Sequence, residues 1–188
     1  MVKNCALQGT ANSIKPSIKK EVYVLFGAHS CGKSSTMKEI YRILSIKYPN
    51  CIIHNKGKKC GYDMRIKMRI KVKTKVGIED VLVGIDTHGD IKNHVKESLE
   101  HFVKNNCNVI FCVESIKNFV QLANSSAQNI NHILKNTAIG KLPILKQYKM
   151  YPLSVLYLQN KAKAIKKNNT EAGINYEIAK IIINQAGL

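Results

Sequence analysis

Apolar positions along the chain repeat with two different periods, and segments of the two kinds alternate. Short runs rich in β-branched and aromatic residues, typical of buried strands, occupy residues 22–26, 51–54, 78–86, 108–114 and 153–158. Between them, apolar residues recur at helical spacing over residues 35–48, 91–105, 116–135 and 170–186. Strands that alternate with helices predict an α/β domain in which helices connect parallel strands.

Residues 64–76 follow the two-residue period of a strand almost without exception. Even positions are apolar apart from Thr74, and odd positions carry the cations Arg65, Lys67, Arg69, Lys71, Lys73 and Lys75. Because successive side chains of a strand point to opposite faces, one face of this strand is apolar and the other is basic. Val76-Gly77 can then turn the chain back, so we predict an antiparallel hairpin with the strand at 78–86.

The basic face of this strand has two interpretations. The cations can lie in solvent on an edge strand, where lysines prevent pairing with other chains. They can also form a row that binds the phosphates of a nucleic acid. The lack of any carboxylate between Asp63 and Glu79 favours the second interpretation. The lack of interleaved aromatic residues argues against a surface that stacks on bases.

A glycine-containing loop joins the first predicted strand to the first predicted helix. Residues 27–34 read GAHSCGKS and fit the pattern G-x-x-x-x-G-K-[ST], which is the signature of a phosphate-binding loop. The pattern stands in the order it needs, after a strand and before a helix. The predicted nucleotide-binding residues are Gly27, Ala28, His29, Ser30, Cys31, Gly32, Lys33, Ser34 and Ser35.

The residue types of this loop suit the binding of phosphate. Gly27 and Gly32 allow the backbone to turn tightly and to approach an anion without a side chain in the way. The N–H groups of the loop and the N-terminus of the following helix then point at the anion. Lys33 would reach the β- and γ-phosphates, and the Ser34 hydroxyl would bind Mg²⁺.

Over residues 22–48 the chain resembles the P-loop NTPases. This resemblance implies a doubly wound, mostly parallel sheet with helices on both faces, and a site for ATP and Mg²⁺ at the loop. The strand that ends in Asp86 resembles the Walker B strand of this superfamily, in which the aspartate holds Mg²⁺ through water. The resemblance therefore implies that Ser34 and Asp86 are magnesium ligands, and that Lys33 and Asp86 are catalytic.

The residue after Asp86 departs from the resemblance. Many P-loop ATPases have a glutamate there that activates water, and this chain has Thr87. Asp90 or His88 could substitute as the base, although Asp90 is also a good N-cap for the helix predicted at 91–105. Glu114, at the end of another predicted strand, is a further candidate carboxylate at the same rim of the sheet.

Four functions fit such a site. ATP hydrolysis, with nucleic acid on the basic face, is our first interpretation. A small kinase that phosphorylates a nucleotide, a nucleic-acid end or a small molecule is the second, although no arginine follows Arg69 to build a phosphate-clamping lid. A GTPase is only third. The guanine-reading motif N-K-x-D needs aspartate at its fourth position, and this chain has Lys163 there. A module that binds nucleotide without turnover is the fourth.

Composition adds a class of partner and a location. The 188 residues carry a net charge of +18, which attracts polyanions such as nucleic acid. No apolar run approaches the roughly 20 residues that span a bilayer. Six cysteines without a C-x-x-C pair predict reduced thiols and a cytoplasmic protein. Residues 1–20 read as a polar leader, and residues 21–188 as one domain.

Overall fold

The computed structural model describes residues 18–27, 30–54, 64–88, 92–115, 142–154, 158–159, 161 and 170–188. Residues 1–17 of the predicted leader are not among the described residues, and neither is any part of the helix predicted at 116–135. Within the described ranges, no helix combines the length and the apolar character that crossing a membrane requires.

The described residues contain six strands and three helices, in the order that the hydrophobic periods predict. The strands are β1 (Glu21–Gly27), β2 (Ile52–His54), β3 (Arg65–Thr74), β4 (Gly77–Asp86), β5 (Val109–Ser115) and β6 (Lys149–Ser154). The helices are α1 (Lys33–Lys47), α2 (Lys92–Lys104) and α3 (Glu171–Gln185), with a short 3-10 helix at Pro143–Leu145. The α/β class predicted from the sequence is confirmed.

The strands form one mixed sheet in the order β2-β3-β4-β5-β1-β6. Pairing is parallel from β4 through β5 and β1 to β6, and antiparallel at β2–β3 and β3–β4. The predicted antiparallel hairpin of the basic strand is therefore confirmed as β3–β4. Since β1, β4 and β5 are parallel, their C-terminal ends lie at one edge of the sheet, and Asp86 and Glu114 are near that edge.

Strand β1 is buried on both faces of the sheet. Tyr23 and Leu25 belong to the apolar cluster formed with α1 and α3. Val22 and Val24 belong to a second cluster, formed with α2 and the 3-10 helix. Helices thus cover both faces, which explains why β1 reads as a continuous apolar run instead of an alternating one.

Strand β6 shares only residues 153–154 with the last strand predicted at 153–158; residues 155–157 lie outside the described part of the chain, and residue 158 is helical. The strand begins at Lys149 and contains Pro152, a residue that is usually taken to end a strand. Proline has no N–H for the ladder, but among the described strands β6 is the last in the sheet order and pairs with β1 alone. An edge strand tolerates proline because one of its sides needs no partner.

The ring of Phe102 in helix α2 packs against Gly84 of β4. A Cβ atom at this position would lie 2.6–2.9 Å from three carbons of the Phe102 ring. We expect Gly84→Ala to destabilise the protein by about 1–3 kcal/mol, because the aromatic ring must move or the helix must shift. Denaturant unfolding with an unchanged m-value measures the loss. Adding Phe102→Leu should recover part of the lost stability, and a Gly84→Ala variant as stable as the parent would contradict this packing.

Candidate functional site

The described part of the loop between β1 and α1 contains two residues with positive φ angles. Ser30 and Gly32 have φ angles of 57° and 91°, both in the left-handed region. This region costs a residue other than glycine roughly 1–2 kcal/mol, so Ser30 holds a strained conformation. Left-handed residues in such a loop turn successive N–H groups toward one concave side. Of the predicted loop residues, Ala28 and His29 lie outside the described part of the chain.

Lys33 curls back over its own loop. The side chain is buried, its Nζ donates a hydrogen bond to the Gly27 carbonyl oxygen at 3.2 Å, and Nζ lies 4.0 Å from Cys31 Sγ. A Cβ atom on Gly27 would collide with that sulfur, so the start of the loop requires glycine. The ammonium group therefore lies at the centre of the loop, where a bound anion would meet it.

The loop surrounds a pocket of about 160 Å³. Its lining consists of Ser30, Cys31, Gly32, Lys33, Ser34, Ser35, Val113 and Glu171. The N-terminus of α1 opens into it, and this helix has neither a side-chain cap at Gly32 nor an acidic residue in its first turn. The partial positive charge of the helix end is therefore not offset by the helix's own residues.

A second pocket, of about 320 Å³, adjoins the first between α1 and α3. It is lined by Ser35, Glu39, Glu171, Ala172 and Asn175, and it shares Ser35 and Glu171 with the phosphate-sized pocket. Its two carboxylates accept hydrogen bonds, so we call it the acceptor-rich pocket, whereas the first pocket holds the Lys33 ammonium group besides the shared Glu171. The two pockets together form a recess with Lys33 at one end and Glu39 at the other, and Glu171 lines both.

Three polar residues that the sequence analysis did not single out hold the loop in place. Gln159 Nε2 donates to the Cys31 carbonyl oxygen at 2.8 Å. Thr36 Oγ1 lies 3.0 Å from the Gly32 carbonyl oxygen and 3.3 Å from Oδ1 of Asn175, which is buried in α3. Asn175 interrupts an otherwise apolar helix stripe, and that was the available signal. Nothing in the sequence distinguishes Gln159.

Gly32 is expected to tolerate no side chain. Its φ of 91° is left-handed, and a Cβ atom would lie 2.9 Å from Asn175 Oδ1. Gly32→Ala should therefore lower the free energy of unfolding by at least the backbone cost of about 1–2 kcal/mol. Denaturant unfolding provides the measurement. Adding Asn175→Ala should relieve the steric part only, so a double variant with full parental stability would show that the backbone conformation is wrong.

Asp86 is a fully buried carboxylate that is only partly satisfied. Its Oδ1 accepts a hydrogen bond from the His88 backbone N–H at 3.2 Å and lies 2.7 Å from His88 Nδ1. Its Oδ2 has no hydrogen-bond partner among the described residues. A buried carboxylate oxygen without a donor is costly, and a cation or a water bound to one would satisfy it.

The Ser34 hydroxyl, at the start of α1, contacts the residue that follows Asp86 at the end of β4. Strand β5 lies between β1 and β4, yet Ser34 Oγ donates to the carbonyl oxygen of Thr87 at 3.1 Å. Ser34, one predicted magnesium ligand, thus contacts the residue next in sequence to Asp86, the other predicted ligand. A hydroxyl and a carboxylate are hard oxygen ligands that suit Mg²⁺, which usually keeps waters and shares phosphate oxygens. No group of three metal-ligating His, Cys, Asp or Glu side chains occurs in the described ranges.

Thr87 has a structural role in the fold. Its side chain is buried, and Oγ1 accepts the Met64 N–H at 2.6 Å and lies 3.4 Å from the Met64 carbonyl oxygen. Thr87 therefore fixes the entry to β3 beside the site. The side chain of the residue that follows Asp86 is therefore engaged in hydrogen bonds with the Met64 backbone. Asp90, the other predicted base, lies outside the described residues together with Gly89.

Glu114 of β5 is a second carboxylate that, like Asp86, lies near Cys112. Burial, and then the negative charges of Asp86 and Glu114, raise the pKa of the Cys112 thiol well above its usual value. Cys112 consequently stays protonated, and both carboxylates are within electrostatic reach of it. Arg65 stands directly opposite Asp86 in the β3–β4 ladder and supplies a positive charge on the same face of the sheet.

Comparison with protein-family models, with curated proteins and with solved structures finds no match to this chain.

Proposed function

We propose that the chain binds ATP with Mg²⁺ at residues 27–34 and hydrolyses it, on a doubly wound sheet of the P-loop NTPase type. One observation carries the proposal: a left-handed glycine, an uncapped helix N-terminus and the buried Lys33 ammonium converge on one pocket. Phosphate groups are anions that would use all three of these features at once.

The residues would divide the work as follows. The loop N–H groups and Lys33 bind the phosphates and offset their charge. Ser34 and the unpartnered oxygen of Asp86 would hold Mg²⁺, which supplies charge stabilisation for the β- and γ-phosphates when bound. Phosphoryl transfer needs little covalent help, so positioned charges of this kind are sufficient for catalysis.

The acceptor-rich pocket would take the nucleoside. It begins at Ser35, where the phosphate pocket ends, and continues between α1 and α3. Glu39 and Glu171 can accept hydrogen bonds from ribose hydroxyls or from an exocyclic amino group. Asn175 would then have two roles: it supports the phosphate-binding loop through Thr36, and it lines the acceptor-rich pocket.

The acceptor of the γ-phosphate separates the candidate functions. Thr87 is engaged with Met64, so the group that positions water must come from elsewhere. His88, whose ring is held by Asp86, is the described candidate, and Asp90 is the other. Because no carboxylate directly follows Asp86, we keep two alternatives: a small P-loop kinase whose substrate replaces water, and a module that binds nucleotide without turnover. The predicted cytoplasmic location stays a prediction.

Following γ-labelled ATP with purified protein and Mg²⁺ tests the function. Label released as inorganic phosphate, and lost in Lys33→Ala, would support hydrolysis. Label transferred to an added nucleotide, nucleic-acid end or small molecule would identify a kinase. Binding of ATP without any release would identify the non-hydrolysing module, and a protein that neither binds nor turns over ATP would overturn the proposal.

A further inference from the structure

The β3–β4 hairpin is longer than the sheet that holds it. Strand β2 pairs only with residues 67–69 of β3, and β5 pairs only with residues 83–85 of β4. Among the described residues, the hairpin beyond these points pairs with itself alone. We call residues 70–81 the distal ribbon. One face of this ribbon packs on the rest of the domain, so only its other face can meet a partner.

One face of the distal ribbon is buried and apolar, and the other is exposed and mainly basic. Ile70, Val72 and Val81 are buried in the apolar cluster shared with α1 and α3. The side chains on the opposite face of β3 are exposed cations, and the turn adds one more. These cations, Arg69, Lys71, Lys73 and Lys75, are called the basic row. Alternate residues of a strand are about 7 Å apart, so the row is linear, with regular steps along the strand.

The other two cations of the predicted stripe, Arg65 and Lys67, are less exposed than the basic row. Lys67 is only partly exposed, and its Nζ donates to Asn105 Oδ1 at the end of α2 at 2.7 Å. Arg65 lies opposite Asp86 in the ladder. Burial first, and the charges of Arg65 and Lys67 second, lower the pKa of His101, so this imidazole carries little charge at neutral pH. The structure thus divides the six-cation stripe, and only the basic row is available to a partner.

Edge protection does not explain the whole basic row. Arg69 is paired on both sides, with Ile52 of β2 and with Leu82 of β4, so it does not lie on an open edge. Lys71 and Lys73 lie beyond β2, where this side of β3 has no partner strand among the described residues, so edge protection can apply to them but not to Arg69. Asp80, directly opposite Lys71, is the one carboxylate on this face of the ribbon's described residues.

We propose that the basic row docks a nucleic-acid duplex through its phosphate backbone, independently of the nucleotide site. A linear row of cations complements a linear polyanion, and the net charge of +18 attracts one. The row has no aromatic side chain, so it contacts backbone and not unstacked bases. An anionic membrane is the competing partner. Exposed apolar residues near the turn are Val76 and Ile78, which offer little area for insertion.

Charge neutralisation tests the proposal through the salt dependence of binding. Binding of a labelled DNA duplex of about 20 base pairs is measured by fluorescence anisotropy between about 50 and 200 mM salt, without nucleotide. The triple variant Arg69→Gln, Lys71→Gln, Lys73→Gln should reduce the slope of log affinity against log salt by about 2–3. The matched control is Lys19→Gln, Lys146→Gln, Lys149→Gln, which removes three exposed cations near the opposite edge strand, β6. Its slope should stay close to that of the parent.

Misfolding could also weaken the binding of the triple variant, so a variant expected to strengthen binding is a useful second test. Asp80→Asn removes the carboxylate opposite Lys71, so it should raise the duplex affinity severalfold. Lys33→Ala should leave duplex binding unchanged, which separates this surface from the proposed ATP site. Equal slopes for the two triple variants would overturn the proposal, since total charge alone would then explain binding. So would a triple variant that loses binding to vesicles of anionic phospholipid but keeps its affinity for the duplex.

Discussion

Lys33→Ala is expected to lower kcat/KM for ATP by roughly 10²–10³-fold. Lys33 is buried over its own loop, where its ammonium group lies 3.2 Å from the Gly27 carbonyl oxygen. In the proposed complex this fixed cation offsets the charge that spreads over the phosphoryl oxygens in the transition state. Its loss leaves water in place of a positioned charge. Initial rates over a range of ATP concentrations give the measurement.

Lys38→Ala is the matched control for this variant. Lys38 lies five residues further along the same helix, and it is not one of the residues that line the two pockets. Its rate should stay within about twofold of the parent, because surface substitutions away from a site rarely matter. Equal activity of Lys33→Ala and the parent, with both proteins folded, would remove Lys33 from the mechanism.

Asp86→Asn is expected to abolish the magnesium-dependent part of turnover, a loss of about 10²-fold or more. The amide keeps the shape of the side chain, but it removes the negative charge that would hold the cation with Ser34. The same change should also abolish the additional thermal stability that Mg²⁺ with ATP gives to the parent, because stabilisation by a ligand follows its binding. Activity and thermal unfolding, each with and without Mg²⁺, measure the two effects.

The stability of Asp86→Asn without metal distinguishes function from structure. Oδ2 of Asp86 is buried without a hydrogen-bond partner in the described ranges, which costs the apo protein stability. In the presence of a chelator, the Asn variant should therefore be at least as stable as the parent. A variant that is strongly destabilised in chelator, and whose loss is the same with Mg²⁺, would mean that Asp86 serves only to hold His88.

Local patterns in the sequence were sufficient to predict most of the strands and helices. The run 22–26, the glycine loop and the helix after it became β1, the loop and α1, and the alternation over 64–76 became β3. These features depend on residues close in sequence, which is why periodicity detects them. The same reasoning predicted the β3–β4 hairpin from the turn at Val76-Gly77.

Features that depend on distant pairing were not predictable. Nothing in the sequence indicates that β5 lies between β1 and β4, although this order decides how Ser34 reaches the end of β4. The start of β6 was missed because Pro152 is acceptable only on an edge, and edges are a property of the whole sheet. For the same reason, the sequence did not distinguish Lys67, held by Asn105, from the exposed Lys71.

Titration calorimetry of Mg²⁺ with ATP, compared with AMP, tests the central claim most directly. The claim is that residues 27–34 bind phosphates, so ATP should bind with one site per chain and far more tightly than AMP. Lys33→Ala should lose most of the ATP affinity and leave the weak binding of AMP unchanged. Equal affinities for ATP and AMP, or an ATP affinity that Lys33→Ala does not alter, would contradict the assignment of this loop as the phosphate site.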